Sequence, residues 1–318
     1  MYRQCVKFFN TVFGTYDLKL IRASEYKFTE SILEVMADSS IDTKSSSAEG
    51  IVFSMDRAIQ IHALLESYYE NVVNPPPLHL FYRTSNAQHQ KSYDEIIEEF
   101  SDRLASVAIQ APQATFRDKL LEIISGIKAE KIFFLVDDDV YIEKMDYFEF
   151  LQFDTKCFVP SIRLGLNLNR CYTSQVDQPL PKFYALPNIS DRWLTWKWNE
   201  GLYDWGYIFS VDGNIFTTKE IKVMSNLLDF QYPNTFEGAL GKFYRVFSKR
   251  WGVAAKKSCI VNIPCNMVQT ESNNVHGNLH QDVLLQKWQQ GFKMDWHKLM
   301  GFANESAHQD LPLEFKKR

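Results

Sequence analysis

The chain has 318 residues, 45% of them hydrophobic, enough to bury one large α/β core. With 35 Lys and Arg against 39 Asp and Glu, its net charge of -4 excludes the basic field that holds nucleic acid by its phosphates. The cysteines, Cys5, Cys157, Cys171, Cys259 and Cys265, are scattered without a CxxC pair, which fits a reducing compartment and argues against a disulfide framework or a thiolate zinc site.

The opening stretch to Asn10 has neither a long apolar run nor a small-residue cleavage site, and no window reaches membrane-spanning length, so a cytoplasmic protein is expected. Arg3, Lys7, Lys19 and Arg22 are mixed with Phe8, Phe9, Phe13 and Leu20. That mixture leaves two readings, a terminal helix folded back on the domain or peripheral contact with the inner face of a membrane. Residues 38–50 are polar and poor in core formers, which marks a linker or long surface loop. The expected division is a flanking segment over 1–49, a main domain over 50–295 split near residue 140, and a tail over 296–318.

Ile51 to Ser54 reads as a buried strand, and Ile61, Leu64, Leu65, Tyr68 and Val72 follow at helical spacing up to the breaker Asn74-Pro75-Pro76-Pro77. Leu78 to Tyr82 is a second strand. Tyr93, Ile96, Ile97, Phe100 and Leu104 form the apolar face of the next helix, and 106–110 a third strand. Phe116, Leu120, Ile123, Ile124 and Ile127 give a further helix that delivers the chain to the apolar run Lys131 to Val136. Strands alternating with helices of this length predict βαβ crossovers and a mainly parallel α/β sheet. Beyond residue 140 the chain is aromatic and loop-rich. Strands are expected at 157–162, 207–210 and 259–263, and helices over 235–249, where Phe236, Leu240, Phe243 and Phe247 align, and over 281–290.

Asp137-Asp138-Asp139 stands directly after the fourth of these strands. Three adjacent carboxylates repel one another, so at the end of a buried strand they call for a cation or a set of donors; an acidic turn capping the next helix is the plainer alternative. Open parallel sheets bind ligands at this end of their strands. Four strand–helix steps ending in an Asp-x-Asp motif resemble the GT-A glycosyltransferases, close to glycosyltransferase family 2, over roughly residues 50–295. The resemblance implies a GT-A α/β fold with helices on both faces of the sheet, a nucleotide-binding half (50–140) and an acceptor half (141–295).

By that resemblance Asp139 would bind Mn²⁺ or Mg²⁺, with Asp137 on the nucleotide ribose or in the metal shell and Asp138 on the donor side. A divalent ion bridging the diphosphate stabilises its charge as the sugar C–O bond breaks. Ser54, Asp56 and Arg57, at the end of the first strand, lie where the family holds base and ribose; Asp56 and Arg57 also read as an N-cap and a solvated charge. Arg83 after the second strand and Arg117 in the helix before the triplet are further base or diphosphate candidates. Asp212, in Asp212-Gly213-Asn214, resembles a residue that binds a donor-sugar hydroxyl, or is part of a plain hairpin turn. Trp193, Trp196, Trp198, Tyr203 and Trp205 are dense enough for one or two to meet an acceptor, with Tyr203 and Trp205 the candidates, or else to be packing.

An inverting transfer needs a base for the acceptor hydroxyl, and Glu237, in the first turn of a predicted helix, resembles that residue; complementing the helix dipole is its other reading. His280 or His276 resembles the late histidine that some of these enzymes add to the metal. The function implied is a metal-dependent, inverting glycosyltransferase of surface-polysaccharide assembly. It would use a UDP- or GDP-linked sugar and a saccharide or lipid-linked acceptor, without nucleic acid. The alternatives are a nucleotidyltransferase, for which no Gly-rich phosphate loop follows the first strand, and a non-catalytic nucleotide-sugar-binding scaffold.

Overall fold

The computed structural model describes residues 23–38, 40–111, 113–266, 277 and 279–318. The basic and aromatic residues of 1–22, and His276, lie outside the described residues. The strands used below are β1 (Ala48–Met55), β2 (Leu78–Arg83), β3 (Leu104–Ile109), β4 (Lys131–Val136), β5 (Asp139–Tyr141), β6 (Phe158–Pro160), β7 (Trp193–Lys197), β8 (Ile215–Thr217), β9 (Trp251–Ala255) and β10 (Ile260–Asn262). The helices are α1 (Ala23–Ala37), α2 (Ala58–Asn71), α3 (Ala87–Glu99), α4 (Phe116–Gly126), α5 (Thr218–Leu227), α6 (Pro233–Leu240) and α7 (Gln281–Gln289).

The central sheet runs β8-β4-β1-β2-β3, with β4, β1, β2 and β3 mutually parallel and β8 antiparallel on the β4 edge. Successive strand residues point to opposite faces, so Val52, Leu80, Phe133 and Leu135 belong to one buried cluster and Ile51, Phe53, Phe81, Ile132 and Phe134 to the other. Helix α2 covers the first face and α4 and α5 the second, which is the layering expected of βαβ units. Local capping supports this: the Asn86 side chain accepts from the Gln88 and His89 amides to open α3, and Thr115 accepts from the Asp118 amide to open α4.

In the second half, β7, β9 and β6 form a small sheet, and β10 pairs with β5 so that Asn262 lies opposite Asp139. The 296–318 segment, expected as a tail, packs against both halves: Trp296 Nε1 donates to Glu66 of α2 at 3.2 Å, and the stretch around Ala307 meets β10. Ala307 is buried in the core, the Asn262 amide donates to the Ala307 carbonyl at 3.0 Å, and Asn262 and His308 form a parallel bridge.

Three expected elements differ. Helix α3 stops at Glu99 and the chain turns at 101–103, so Leu104 opens β3 instead of closing a helical face. Residues 207–210 are not a strand: Ile208 and Phe209 are buried without ladder partners and Asn214 Nδ2 satisfies the Ile208 carbonyl at 2.9 Å. A short apolar run looks the same whether it is a buried strand or a buried turn. The 235–249 helix starts two residues earlier, at Pro233, and gives way at Gly241–Phe243 to a 3-10 turn before a last helical turn at Tyr244–Phe247.

The tryptophans sort the same way. Trp196, Trp198 and Trp205 are fully buried; Trp205 packs edge-on to Trp196 and Phe183, and its carbonyl accepts from Trp196 Nε1 at 3.0 Å. Trp205→Ala should therefore lower the unfolding free energy by about 3–5 kcal/mol in urea titration, the range for emptying an aromatic site in a packed core.

Candidate functional site

Strand β1 leads through α2 to β2 and β3 on one side, while β4 lies on its other flank, so the chain reverses direction across the sheet between β1 and β4. At such a switch point the loops after the two strands part and leave a crevice. A cavity of about 640 Å³ opens there. Its first wall is the strand ends, with Ser54, Arg57, Arg83, Asp137 and Asp138. Its second wall is supplied by the later half of the chain, with Arg163, Tyr203, Asp204, Asp212, Glu237 and His308.

On the first wall Asp137 is an anchor. Its Oδ2 accepts from Ser54 Oγ at 2.8 Å and the Met55 amide at 3.1 Å, and its Oδ1 from Arg57 Nη1 at 2.8 Å. The same Arg57 nitrogen lies 3.0 Å from Asp138 Oδ2, so one guanidinium neutralises two members of the triplet. Burial still pushes the Asp137 carboxyl up to about 6 against the pull of Arg57. Asp139 is fully buried, its Oδ2 accepting from the Val136 amide at 3.0 Å. Burial, then the Asp212 and Asp138 charges, raise its carboxyl well above the carboxylate range. Asn262 Nδ2 donates both to Asp138 Oδ1 at 2.9 Å and to Asp139 Oδ1 at 3.1 Å, holding two carboxylate oxygens about one point.

The second wall is a chain of paired charges. Arg163, itself buried, reaches Asp204 Oδ1 at 2.6 Å and Asp212 Oδ2 at 3.5 Å, and His308 Nε2 lies 3.1 Å from the same Asp212 oxygen. Burial acts against the Asp212 charge, but the His308 hydrogen bond and the neighbouring cations hold its carboxyl below the usual range. The position of Asp212 depends on the turn after it: Gly213 has φ of +78°, and a Cβ there would stand 2.4 Å from Ile162 Cγ1. Glu237 lies in α6, but because the helix starts at Pro233 it falls past the first turn where it was expected, so complementing the helix dipole is not its role. Its Oε1 accepts from the Val211 amide at 3.0 Å and it hydrogen-bonds the Tyr207 hydroxyl. Burial, then the Asp212 charge, push Glu237 up to about 7.

Of the residues expected from sequence, Ser54, Arg57, Arg83, Asp137, Asp138, Tyr203, Asp212 and Glu237 line one cavity. Five others do not line it. Asp139 is fully buried next to Asp138, held by the Val136 amide and Asn262. Asp56 is buried in a left-handed turn (φ +54°) with its Oδ1 accepting from the Ser85 amide at 2.8 Å, so it ties two strand ends together behind the cavity. Arg117 donates to the Leu228 carbonyl at 2.7 Å and the Asn226 carbonyl at 3.0 Å, fastening α4 to the end of α5. Trp205 is core, as described. His280 is the exposed N-cap of α7, its Nδ1 accepting from the Asp282 amide at 3.2 Å, away from the residues that line the cavity. The late histidine that does face the carboxylates is His308. Neither it nor Arg163 nor Asp204 carries a sequence signal, because their partners are brought in from 41 to 96 residues away.

The donor set fits a hard divalent cation. Mg²⁺ and Mn²⁺ take carboxylate oxygens and are completed by substrate phosphates and water, so two adjacent carboxylates suffice. Asp138, which lines the cavity, and Asp139, buried beside it, would supply such a pair through lone pairs that Asn262 Nδ2 does not occupy, and Asp139 has no cation partner among the described residues.

No family model matches the chain, and no curated protein matches it. Among solved structures, S. aureus TarS is similar at 14% identity and a TM-score of 0.43, over 67% of this chain and 36% of that one. A mannosyltransferase, PcManGT from Pyrobaculum calidifontis in complex with GDP-Man and Mn²⁺, is similar at 14% identity and a TM-score of 0.28, over 44% and 46% of the two chains. A nucleotidyl transferase from Methanothermobacter thermautotroptrophicus is similar at 11% identity and a TM-score of 0.38, over 67% and 89%. The chain thus spans about a third of TarS and under half of PcManGT.

Proposed function

We propose that this chain transfers a sugar from a nucleoside-diphosphate donor to a hydroxyl acceptor with inversion, using a divalent cation. The observation that carries the reading is the two-walled cavity: Asp137 and Asp138 with Arg57 and Arg83 at the strand ends, and Glu237 with Asp212 opposite. Ser54 and Arg57 orient Asp137 at the nucleotide end, Arg83 offers a cation to the base or diphosphate, and Asp138 with Asp139 would hold the metal. A bound divalent cation there supplies charge stabilisation to the departing diphosphate. Asp212 would accept from a sugar hydroxyl. Glu237 takes the proton from the acceptor hydroxyl as its oxygen bonds to the anomeric carbon from the face opposite the diphosphate. His308 would act through Asp212, holding that carboxylate by its Nε2 at 3.1 Å. A nucleotidyl transfer makes no use of a base placed across the cavity from the triplet, which favours sugar transfer. Assembly of a surface polysaccharide, at the inner face of a membrane, is the setting we infer. No described helix is long and apolar enough to cross one.

The test is thermal stabilisation and donor hydrolysis with a panel of UDP- and GDP-sugars, with and without Mn²⁺. The expected result is stabilisation of several degrees by at least one nucleoside diphosphate in the presence of metal. Indifference to every nucleotide would refute the reading.

A further inference from the structure

The two walls of the cavity differ in the charge they leave unpaired. On the first, Arg83 lines the cavity and has no ion-pair partner among the described residues. On the second, both cations are already engaged. Arg163 is held by Asp204 and Asp212, and His308 by Asp212. Glu237 remains, a carboxyl whose partners are a backbone amide and a phenol. The second wall therefore carries three carboxyls, Asp204, Asp212 and Glu237, against two cations that are already engaged. An anion approaching the second wall meets a carboxylate excess with no free cation to offset desolvation, in a site partly shielded from water.

The same wall carries a different kind of recognition surface. While the tryptophans nearby are buried, Tyr203 and Tyr207 are 46% and 44% exposed and line the cavity together with Tyr172 and Tyr232. Tyr203 is held in a left-handed conformation (φ +51°), which non-glycine residues seldom adopt and which the buried Asp204–Arg163 pair next to it keeps in place. Phenol rings present an apolar face and a polar tip, matching a pyranose with its C–H face and ring of hydroxyls.

We propose that this tyrosine wall selects an uncharged pyranose as acceptor and rejects acceptors bearing phosphate or carboxylate near the reacting hydroxyl. The proposal narrows the sugar-transfer reading of the cavity and rests on it for the word acceptor. The binding preference itself can be measured without donor or turnover.

The experiment is saturation-transfer NMR on the whole chain. The probes are the methyl glycosides of glucose, galactose, mannose and N-acetylglucosamine, each beside its 6-phosphate, and the glucuronide beside the glucoside. At least one neutral glycoside should bind at least tenfold more tightly than its charged counterpart. The double variant Tyr203→Ala with Tyr207→Ala should lose that binding. Thr173→Lys, a cation added at an exposed cavity-lining position, should raise binding of the 6-phosphates selectively, which a merely folded-state effect would not do. Equal or tighter binding of the phosphates by the wild-type chain overturns the proposal, and so does failure of every neutral glycoside to bind. A parallel thermal-shift measurement with nucleoside diphosphates and Mn²⁺ separates the two readings. If nucleotides fail while neutral glycosides bind, the donor reading falls and the tyrosine wall stands; if the glycosides fail while nucleotides bind, the reverse holds.

Discussion

Glu237→Gln should lower sugar transfer by roughly 10²–10⁴-fold while leaving nucleoside-diphosphate binding within about twofold, because it removes proton acceptance and keeps the shape of the side chain. The pH profile carries the more specific signature. A base works only when ionised, and burial and Asp212 raise Glu237 to about 7, so kcat/KM should fall about tenfold per pH unit below about 7 instead of below the ordinary range near 4.5. In the glutamine variant that limb should vanish from the residual activity. Stability moves the opposite way. A carboxyl whose folded pKa lies above its unfolded one contributes stability below the unfolded value and loses it as pH rises through the folded value. At pH 8 wild-type Glu237 is ionised in a buried, acidic setting, and Glu237→Gln should unfold at a slightly higher temperature. A variant that is both inactive and less stable would instead mark Glu237 as a structural contact to the Val211 amide and no more.

The second large effect is expected at Asp139. Asp139→Asn keeps the side-chain shape and can still accept from the Val136 amide, but it removes one of the two charges held about Asn262 Nδ2. Affinity for Mn²⁺, read by calorimetry with a nucleoside diphosphate present, should drop by at least tenfold, and metal-dependent stabilisation by the nucleotide should be lost. The metal-free fold should be close to wild type in stability, since burial and the Asp212 and Asp138 charges already oppose ionisation of the Asp139 carboxyl. Asp137→Asn should behave differently. Asp137 anchors Arg57 and the end of β1, so its loss should destabilise the chain while leaving more of the metal response. Reversal of that contrast would move the metal to the Asp137 side of the triplet.

The parallel sheet was legible because its information is local. Apolar runs of five or six residues alternating with helical periodicity describe β1 to β4 and the helices between them, and breakers such as Asn74-Pro75-Pro76-Pro77 separate them. The triplet was legible for a related reason, since charge repulsion among three adjacent carboxylates is written in the sequence itself. Elsewhere the local signals are ambiguous. An apolar stretch at 207–210 looked like a strand, and a helical face over 235–249 concealed the break at Gly241. The tryptophan cluster announced aromatic content without saying which rings would be buried.

Sequence by itself determined the α/β class, the order of the first four strands and the presence of a carboxylate site at the end of the last of them, because propensity, periodicity and like-charge repulsion act between near neighbours. Only the tertiary structure decided which charges meet across the cavity. It moved Asp56 and Arg117 into scaffolding contacts, sent Trp205 to the core and His280 to a helix cap, and brought His308 and Arg163 to Asp212. Partners separated by tens of residues are set by how strands and loops pack, and their side chains acquire an energetic preference for one another only after burial has removed the water between them.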